Sequence, residues 1–412
     1  MPAFIPDNPR AGARDDTVCT IEIDGTTVAD VSQWSYVSDV LSLSDPFSVT
    51  VPDPRGRWRN VVTIPSGDAP KRTVFKLANP NILDGKPTVK VDGLIVKATR
   101  DSAEGRGTII SVEGADLGWH LVNNDAPLWF NLTHTTFQRL LDACIFPERI
   151  FRGRGSTATG WGFQGVRTEN GTNRRLKHGR QGALLNTYPP ALRPLARIQA
   201  EPGQPIADLL VLYARRVGLL VNVSADRYLQ AFAPDYRTRA AYRLEYHPED
   251  SVEHTRNNVI AAHDSQDITS IWTDITLVGE VLHPDTTDES LAKDNVNAGK
   301  FRGRALHADA LPFLHRKTTS DGEQYSRNLA GNKAEWHYKR GLFDSDGATY
   351  EVRGHGQGGV WWEADTMVEV NDTVNGRVGT YYVSRVECSR TEQAGDRTRI
   401  TVKRPNLLTV SA

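Results

Sequence analysis

The feature that most constrains this chain is its division, from Thr17 onward, into short alternating stretches separated by turn residues. Side chains on a strand alternate between its two faces, so an apolar–polar period of two marks a half-buried strand. Thr17 to Ile23 alternates in this way and breaks at Asp24-Gly25, a hairpin signal. Trp34 to Leu43, Phe47 to Val51, Val74 to Leu77, Thr88 to Thr99 and Thr108 to Glu113 continue the series. Asp92-Gly93 and Glu104 to Gly107 punctuate it. Many short strands joined by Gly and Pro turns predict a small barrel or sandwich.

Helical spacing interrupts the series three times. Phe137, Leu140, Leu141 and Cys144 fall on one helix face, with Thr133 or Thr135 placed to cap it and Pro147 to stop it. Ile206, Leu209, Leu210, Tyr213 and Val217 mark a second helix, ended by Gly218 at C′. A third is expected over about Glu323 to Lys339, with Tyr325, Leu329 and Trp336 on one side and Gly341 past its end. Leu219 to Val223 and Tyr228 to Phe232 read as a hairpin turning at Ala225-Asp226, and Ile271 to Val281 as a further strand. Residues 151–200 are rich in Gly and Arg (Arg152, Arg154, Arg174, Arg175, Lys177, Arg180) and lack clear periodicity, which predicts a long loop or arm. Strands return from Thr349.

Two hairpins echo each other. Gly105 precedes Thr108, Ile110 and Val112, while Gly395 precedes Thr398, Ile400 and Val402. Each follows a strand that opens after a glycine, at Gly93 and at Gly379. Any hairpin needs such a pattern, so two unrelated hairpins and a duplicated barrel both fit it.

The 412 residues suggest two to four modules. A formal net charge of −1 gives no global field toward nucleic acid or an anionic membrane. Cys19, Cys144 and Cys388 are odd in number and far apart, so they predict buried free thiols. The opening residues lack the apolar core of a signal peptide, and no apolar run is long enough to cross a bilayer, so folding in a reducing cytosol is expected.

Reaction motifs fail on context. Gly354 to Gly359 matches G-x-G-x-x-G, but Val360-Trp361-Trp362 reads as strand where a dinucleotide site needs a helix. Gly155 to Gly160 has phosphate-loop spacing, but Trp161 occupies the lysine position. The eleven histidines show no H-x-x-x-H pattern, and Asp344 to Gly347 lacks the remaining ligands of a calcium loop. No G-x-S-x-G elbow occurs, and no carboxylate pair stands out. No catalytic, cofactor-binding or metal residues are therefore assigned. Trp361-Trp362 is the best sugar-stacking candidate, because adjacent strand residues face opposite sides and leave at most one in a core. Packing in a core or subunit interface is the favoured reading of the pair. The arginines of 151–180 could touch phosphate, but without interleaved aromatics a solvated or protein-contact arm fits better.

Several pieces together resemble one family. Val91 to Ile95, Gly107 to Asp116 and Leu121-Val122 resemble the end of the first barrel in baseplate hub proteins of contractile-tailed phages of the Mu type. Pro202 to Ile206 with Val217 to Leu219 is similar to that family's middle α/β segment. Trp336 to Gly341, Val352 to His355, Gly359 to Trp361, Val368 to Val370, Tyr382-Val383 and Arg404-Pro405 match its second barrel and C-terminus in order. Residues 151–200 depart from the pattern as extra length.

The resemblance implies a mainly β fold with α/β insertions: two related antiparallel β-barrel tube domains plus a peripheral α/β region. The expected division is an arm at 1–16, a first barrel at 17–120, and a peripheral region at 121–255 with the arm at 151–200. A second barrel at 256–405, with a helical insertion over about 283–342, precedes a tail at 406–412. It further implies a non-enzymatic homotrimer in the virion baseplate, assembled in the host cytoplasm. Its partners would be the central spike, the tail tube, and tape-measure and baseplate wedge proteins, with no specific nucleic acid, stable membrane association or cofactor. A tail-associated cell-wall hydrolase and a glycan-binding receptor module are the alternatives from other classes.

Overall fold

The computed structural model describes residues 17–62, 71–103, 107–126, 131–145, 160–168, 194–279, 301–321 and 327–408. These fall into two compact units. Residues 1–263 and 349–402 delimit the first, and residues 264–348 and 403–412 the second.

The first unit opens with β1 (Val18–Ile23), β2 (Thr26–Val28), β3 (Gln33–Asp39), β4 (Pro46–Pro52), β5 (Arg72–Ala78), β6 (Thr88–Ala103) and β7 (Gly107–Asp116). Alternation is strict where one face is buried. In β4, Phe47, Val49 and Val51 point inward while Ser48 and Thr50 do not. The strands follow the order β3-β4-β7-β6-β5-β1-β2, and each neighbouring pair is antiparallel. In a flat sheet β3 and β5, four places apart, would stand about 19 Å from each other. Instead Trp34 on β3 meets Phe75 on β5 edge-on, with ring centroids 5.9 Å apart, and Phe47 on β4 stacks on Phe75 at 5.3 Å. The sheet curls around this aromatic centre.

A peripheral α/β layer follows: α1 (Gly118–Asn123), β8 (Asn131–Thr136), α2 (Phe137–Ile145), β9 (Gly165–Thr168), β10 (Pro194–Gln199), α3 (Ile206–Val217), β11 (Leu220–Val223) and β12 (Tyr228–Phe232). Leu121, Phe137, Leu141, Leu209, Leu210 and Leu229 share its core. Gly218 ends α3 with φ 76°, and its N–H reaches the Ala214 and Arg215 carbonyls as the sequence implied. The stretch expected to be a loop at 151–200 is ordered at two places: β9 pairs in parallel with β12, and β10 pairs with β8. Residues 151–159 and 169–193 lie outside the described residues.

The chain then makes a second set of strands: β13 (Tyr242–Tyr246), β14 (Val259–Gln266) and, past the second unit, β18 (Asp346–Arg353), β19 (Gly356–Gln357), β20 (Val360–Trp361), β21 (Thr366–Asp372), β22 (Arg377–Thr391) and β23 (Gly395–Lys403). Their order is β14-β18-β23-β22-β21-β13. Substituting β1, β3, β4, β5, β6 and β7 for β13, β14, β18, β21, β22 and β23 reproduces the first set's order. Of the two echoing glycines, Gly105 lies outside the described residues and Gly395 begins the last strand. Gly107 (φ 74°) opens β7 and Gly395 (φ 65°) opens β23, each in the left-handed region after a turn. The mainly β fold with two related β modules and an α/β region is therefore present. One departure is that β13 runs parallel to β21, whereas β1 is antiparallel to β5. Curling recurs: Tyr350 on β18 donates to Asp372 on β21, three strands away, at 3.0 Å.

The second unit contains β15 (Asp274–Gly279), β16 (Phe301–Leu306), β17 (Arg316–Asp321) and α4 (Arg327–Ser345). Ile275, Leu277, Ala305, Ala330 and Ala334 form its core. The helix expected to stop before Gly341 continues to Ser345. Gly341 serves close packing instead, because a Cβ there would overlap the Ser270 carbonyl oxygen.

Candidate assembly site

The two β modules meet along one strand. β22 gives residues 377–383 to β21 and residues 385–390 to β3, with Arg385 opposite Asp39 and Arg390 opposite Trp34. At about 3.4 Å per residue a strand of this length spans two modules. Trp34, Tyr36, Val386 and Cys388 are buried along the seam, so the junction is continuous core.

A polar lock sits beside it. Asp396 Oδ2 accepts the Thr17 N–H at 3.2 Å, tying the start of β1 to β23, and Arg390 donates to the Thr17 carbonyl at 2.6 Å. His355 and Asp396 are fully buried, with Nε2 3.4 Å from Oδ1. The Thr398 hydroxyl donates to the Gly354 carbonyl at 2.7 Å, so it accepts from His355 Nδ1 at 2.9 Å. That fixes a proton on Nδ1 and leaves Nε2 facing a carboxylate. Burial pushes the imidazole down, but Asp396 and Cys388 outweigh it and raise its pKa to about 9. Burial acts in the opposite sense on Asp396, yet His355 and Arg390 hold its carboxyl below the usual range.

The β13 edge is closed by amides. Asn258 Oδ1 accepts the Glu245 N–H at 2.9 Å and Gln357 Oε1 accepts the Arg243 N–H at 2.7 Å. Asn257 does the same for His247 at 2.8 Å. A cleft of about 760 Å³ lies here, lined among others by His247, His254, Asn257, Gln357 and Trp362. Within it His247 stands 3.0 Å from Glu245 and 3.1 Å from the Thr373 hydroxyl, a carboxylate–imidazole–hydroxyl row that the sequence did not reveal. Glu253 also reaches His247 Nδ1, at 3.6 Å, and the Thr373 N–H donates to the Tyr246 carbonyl at 3.1 Å. With that amide engaged it cannot serve a developing oxyanion, and the row pins the 247–257 loop to the turn after β21.

The motifs singled out in the sequence resolve individually. Gly354 to Gly359 forms the β19–β20 hairpin, with Gly354, Gly358 and Gly359 at φ 70°, 61° and 80°, and opens no helix. Trp361 and Trp362 are both buried, at 3% and 4% exposure, which corrects the expectation that at most one would be. β20 ends at Trp361, so alternation does not govern Trp362, which packs against Tyr242 with ring centroids 4.5 Å apart. Trp362 also lines the cleft beside His247. Asp344 pairs with Arg340 at 2.8 Å and Asp346 with Arg404 at 2.7 Å. All three cysteines are free and buried, and burial raises the thiol pKa of Cys19 and Cys144. Among the described residues no cluster of His, Cys, Asp or Glu is placed to hold a metal. Arg152, Arg154, Arg174, Arg175, Lys177 and Arg180 lie outside the described residues.

Curled modules in a repeated order, with a peripheral α/β layer, make a fold that this chain shares with solved phage tail proteins. The chain is similar to the crystal structure of a tail protein from Neisseria meningitidis, with a TM-score of 0.69 at 16% identity, covering 95% of this chain and 98% of that one. It is likewise similar to a 43 kDa tail protein of prophage MuSo2 from Shewanella oneidensis, with a TM-score of 0.67 at 16% identity over 96% and 100% of the two chains. An Escherichia coli type VI secretion component, described as similar to phage T4 tail proteins gp27 and gp5, matches with a TM-score of 0.50 at 8% identity over 95% and 78%. No family model matches the sequence, and no curated protein does.

Proposed function

We propose that the chain is the structural baseplate hub of a contractile phage tail or phage-derived tail-like particle. It acts as a homotrimeric adaptor joining a six-fold tail tube to a three-fold central spike. The observation that carries this reading is the strand order repeated within one polypeptide. Three copies of a duplicated chain present six similar modules around an axis, so a trimer can meet both symmetries. Such a part needs extended obligate interfaces and no reactive side chain. Buried thiols and an internally engaged imidazole row fit a non-enzymatic role. Tail proteins among the similar structures support a place in the virion tail, and assembly in the host cytoplasm belongs to the same reading. Spike, tube, tape-measure and wedge proteins are the partners of this reading.

The test is mass measurement in solution combined with averaged images of negatively stained particles. The expected result is a trimer that appears as a ring of six lobes. A stable monomer with no affinity for spike or tube would overturn the proposal.

A further inference from the structure

The cleft beside β13 has a lining that the fold holds in place. It comes from the segment Tyr246 to Ile260 and from the end of β18, the β19–β20 hairpin, Trp362 and Val374. The first part is pinned by the His247 row and by the amides of Asn257 and Asn258. The second is pinned by Gln357, which accepts the Arg243 N–H. A volume of about 760 Å³ is in the range of sites that enclose a ligand of drug size, and such sites come largely pre-formed.

Four polar groups in this lining are left over from those contacts. The Arg353 guanidinium and the Glu249 carboxylate are exposed, and among the described residues neither has a hydrogen-bond or ion-pair partner. Arginines on the neighbouring β23 differ: Arg397 and Arg399 both reach Glu351, at 3.7 and 3.3 Å. The His254 ring is engaged at Nδ1, 3.1 Å from the Asn257 amide and 3.3 Å from the His247 carbonyl, while Nε2 has no partner among the described residues. Trp362 is buried, and its Nε1–H has no acceptor. A buried donor left unpaired is costly, so a ligand that brings an acceptor is favoured. The same lining carries Val259, Ile260, Val352 and Val374, with Ile260 41% and Val374 49% exposed.

We infer that the cleft binds a short segment of a second protein, in which an acidic residue stands among aliphatic ones. The carboxylate of that residue pairs with Arg353, whose planar fork suits two carboxylate oxygens. Its aliphatic neighbours cover Ile260 and Val374. Peptide N–H groups donate to Glu249, and peptide carbonyls accept from Trp362, so one backbone supplies both kinds of partner. A sugar would also satisfy the polar groups, but it gains little from four aliphatic side chains, and Trp362 shows it almost no ring face.

The probe is the peptide acetyl-Val-Asp-Val-amide, titrated into the isotope-labelled full-length chain while the indole N–H signals of its nine tryptophans are followed by NMR. The signal absent from Trp362→Phe should shift saturably, with a Kd in the millimolar range. Arg353→Gln should weaken that binding about tenfold. The neutral peptide acetyl-Val-Asn-Val-amide should bind the parent as weakly, and Arg353→Gln should bind both peptides alike, because the carboxylate then has no partner. Arg353 is exposed, so its variant should fold as the parent does. Where Trp362→Phe fails to fold, the shift that depends on Arg353 identifies the signal instead. Equal affinity of the parent for the two peptides, or no shift with either, would overturn the proposal. A shift produced by glucuronate and by neither peptide would overturn it too, and would give the cleft to acidic sugars.

Discussion

His355 and Asp396 face each other with no exposed surface, so their charge state is part of the fold. His355 binds its proton more tightly in the folded chain than in the unfolded one, where the ordinary value is near 6.5. Its contribution is therefore complete below about pH 6.5 and is lost as pH rises through about 9. Asp396 has the opposite sense: its contribution is present above the ordinary carboxylate range and is lost in acid. His355→Gln, which leaves a buried carboxylate without its imidazolium, should cost about 3 kcal/mol at pH 6. It should also flatten the loss of stability between pH 6.5 and 9, as read from urea denaturation midpoints across that range. An unchanged slope would remove His355 as the titrating group.

At the scale of elements, β13 is held on one side by strand pairing and on the other by side-chain amides. Asn258 accepts from the Glu245 N–H and donates to the Arg243 carbonyl, at 2.9 and 2.8 Å. Gln357 Nε2 also donates to the Arg243 carbonyl, at 2.9 Å, so Asn258→Ala leaves the Glu245 N–H unpaired beside a buried side chain and should cost about 2 kcal/mol. Hydrogen exchange at the Glu245 amide should quicken roughly thirty-fold if it opens locally. Little of this zipper was legible beforehand, because asparagine and glutamine read locally as turn or surface residues. Local signals served where the constraint is local: Gly218 ends α3 because only a left-handed residue fits there, and alternation located β3 to β7. They failed where a distant contact decides. Gly341 resembles a helix terminator until Ser270 is seen against it, and Trp362 obeys packing against Tyr242. The pairing of β22 with β3 joins opposite ends of the sequence. A strand's period reveals which face is buried and says nothing of its partner.

For the whole molecule, the repeat defines the second unit as a replacement of one turn. Residues 40–45 join β3 to β4 in the first module, and the equivalent connection from β14 to β18 carries the second unit instead. Its two ends lie side by side, since the Asp267 N–H donates to the Ser345 carbonyl at 2.7 Å. An insertion whose ends touch adds little loop-closure cost to its host and can hold its own core. Replacing residues 267–345 with the turn sequence Val40 to Asp45 should therefore leave a chain that folds. Its β-sheet circular dichroism should persist, and it should unfold cooperatively within a few degrees of the parent. On the hub reading the repeated modules form the ring, so the shortened chain should also keep the oligomeric mass of the full one. Loss of the oligomer with the fold retained would move the principal interface onto the second unit, and the ring would then owe its closure to the insertion.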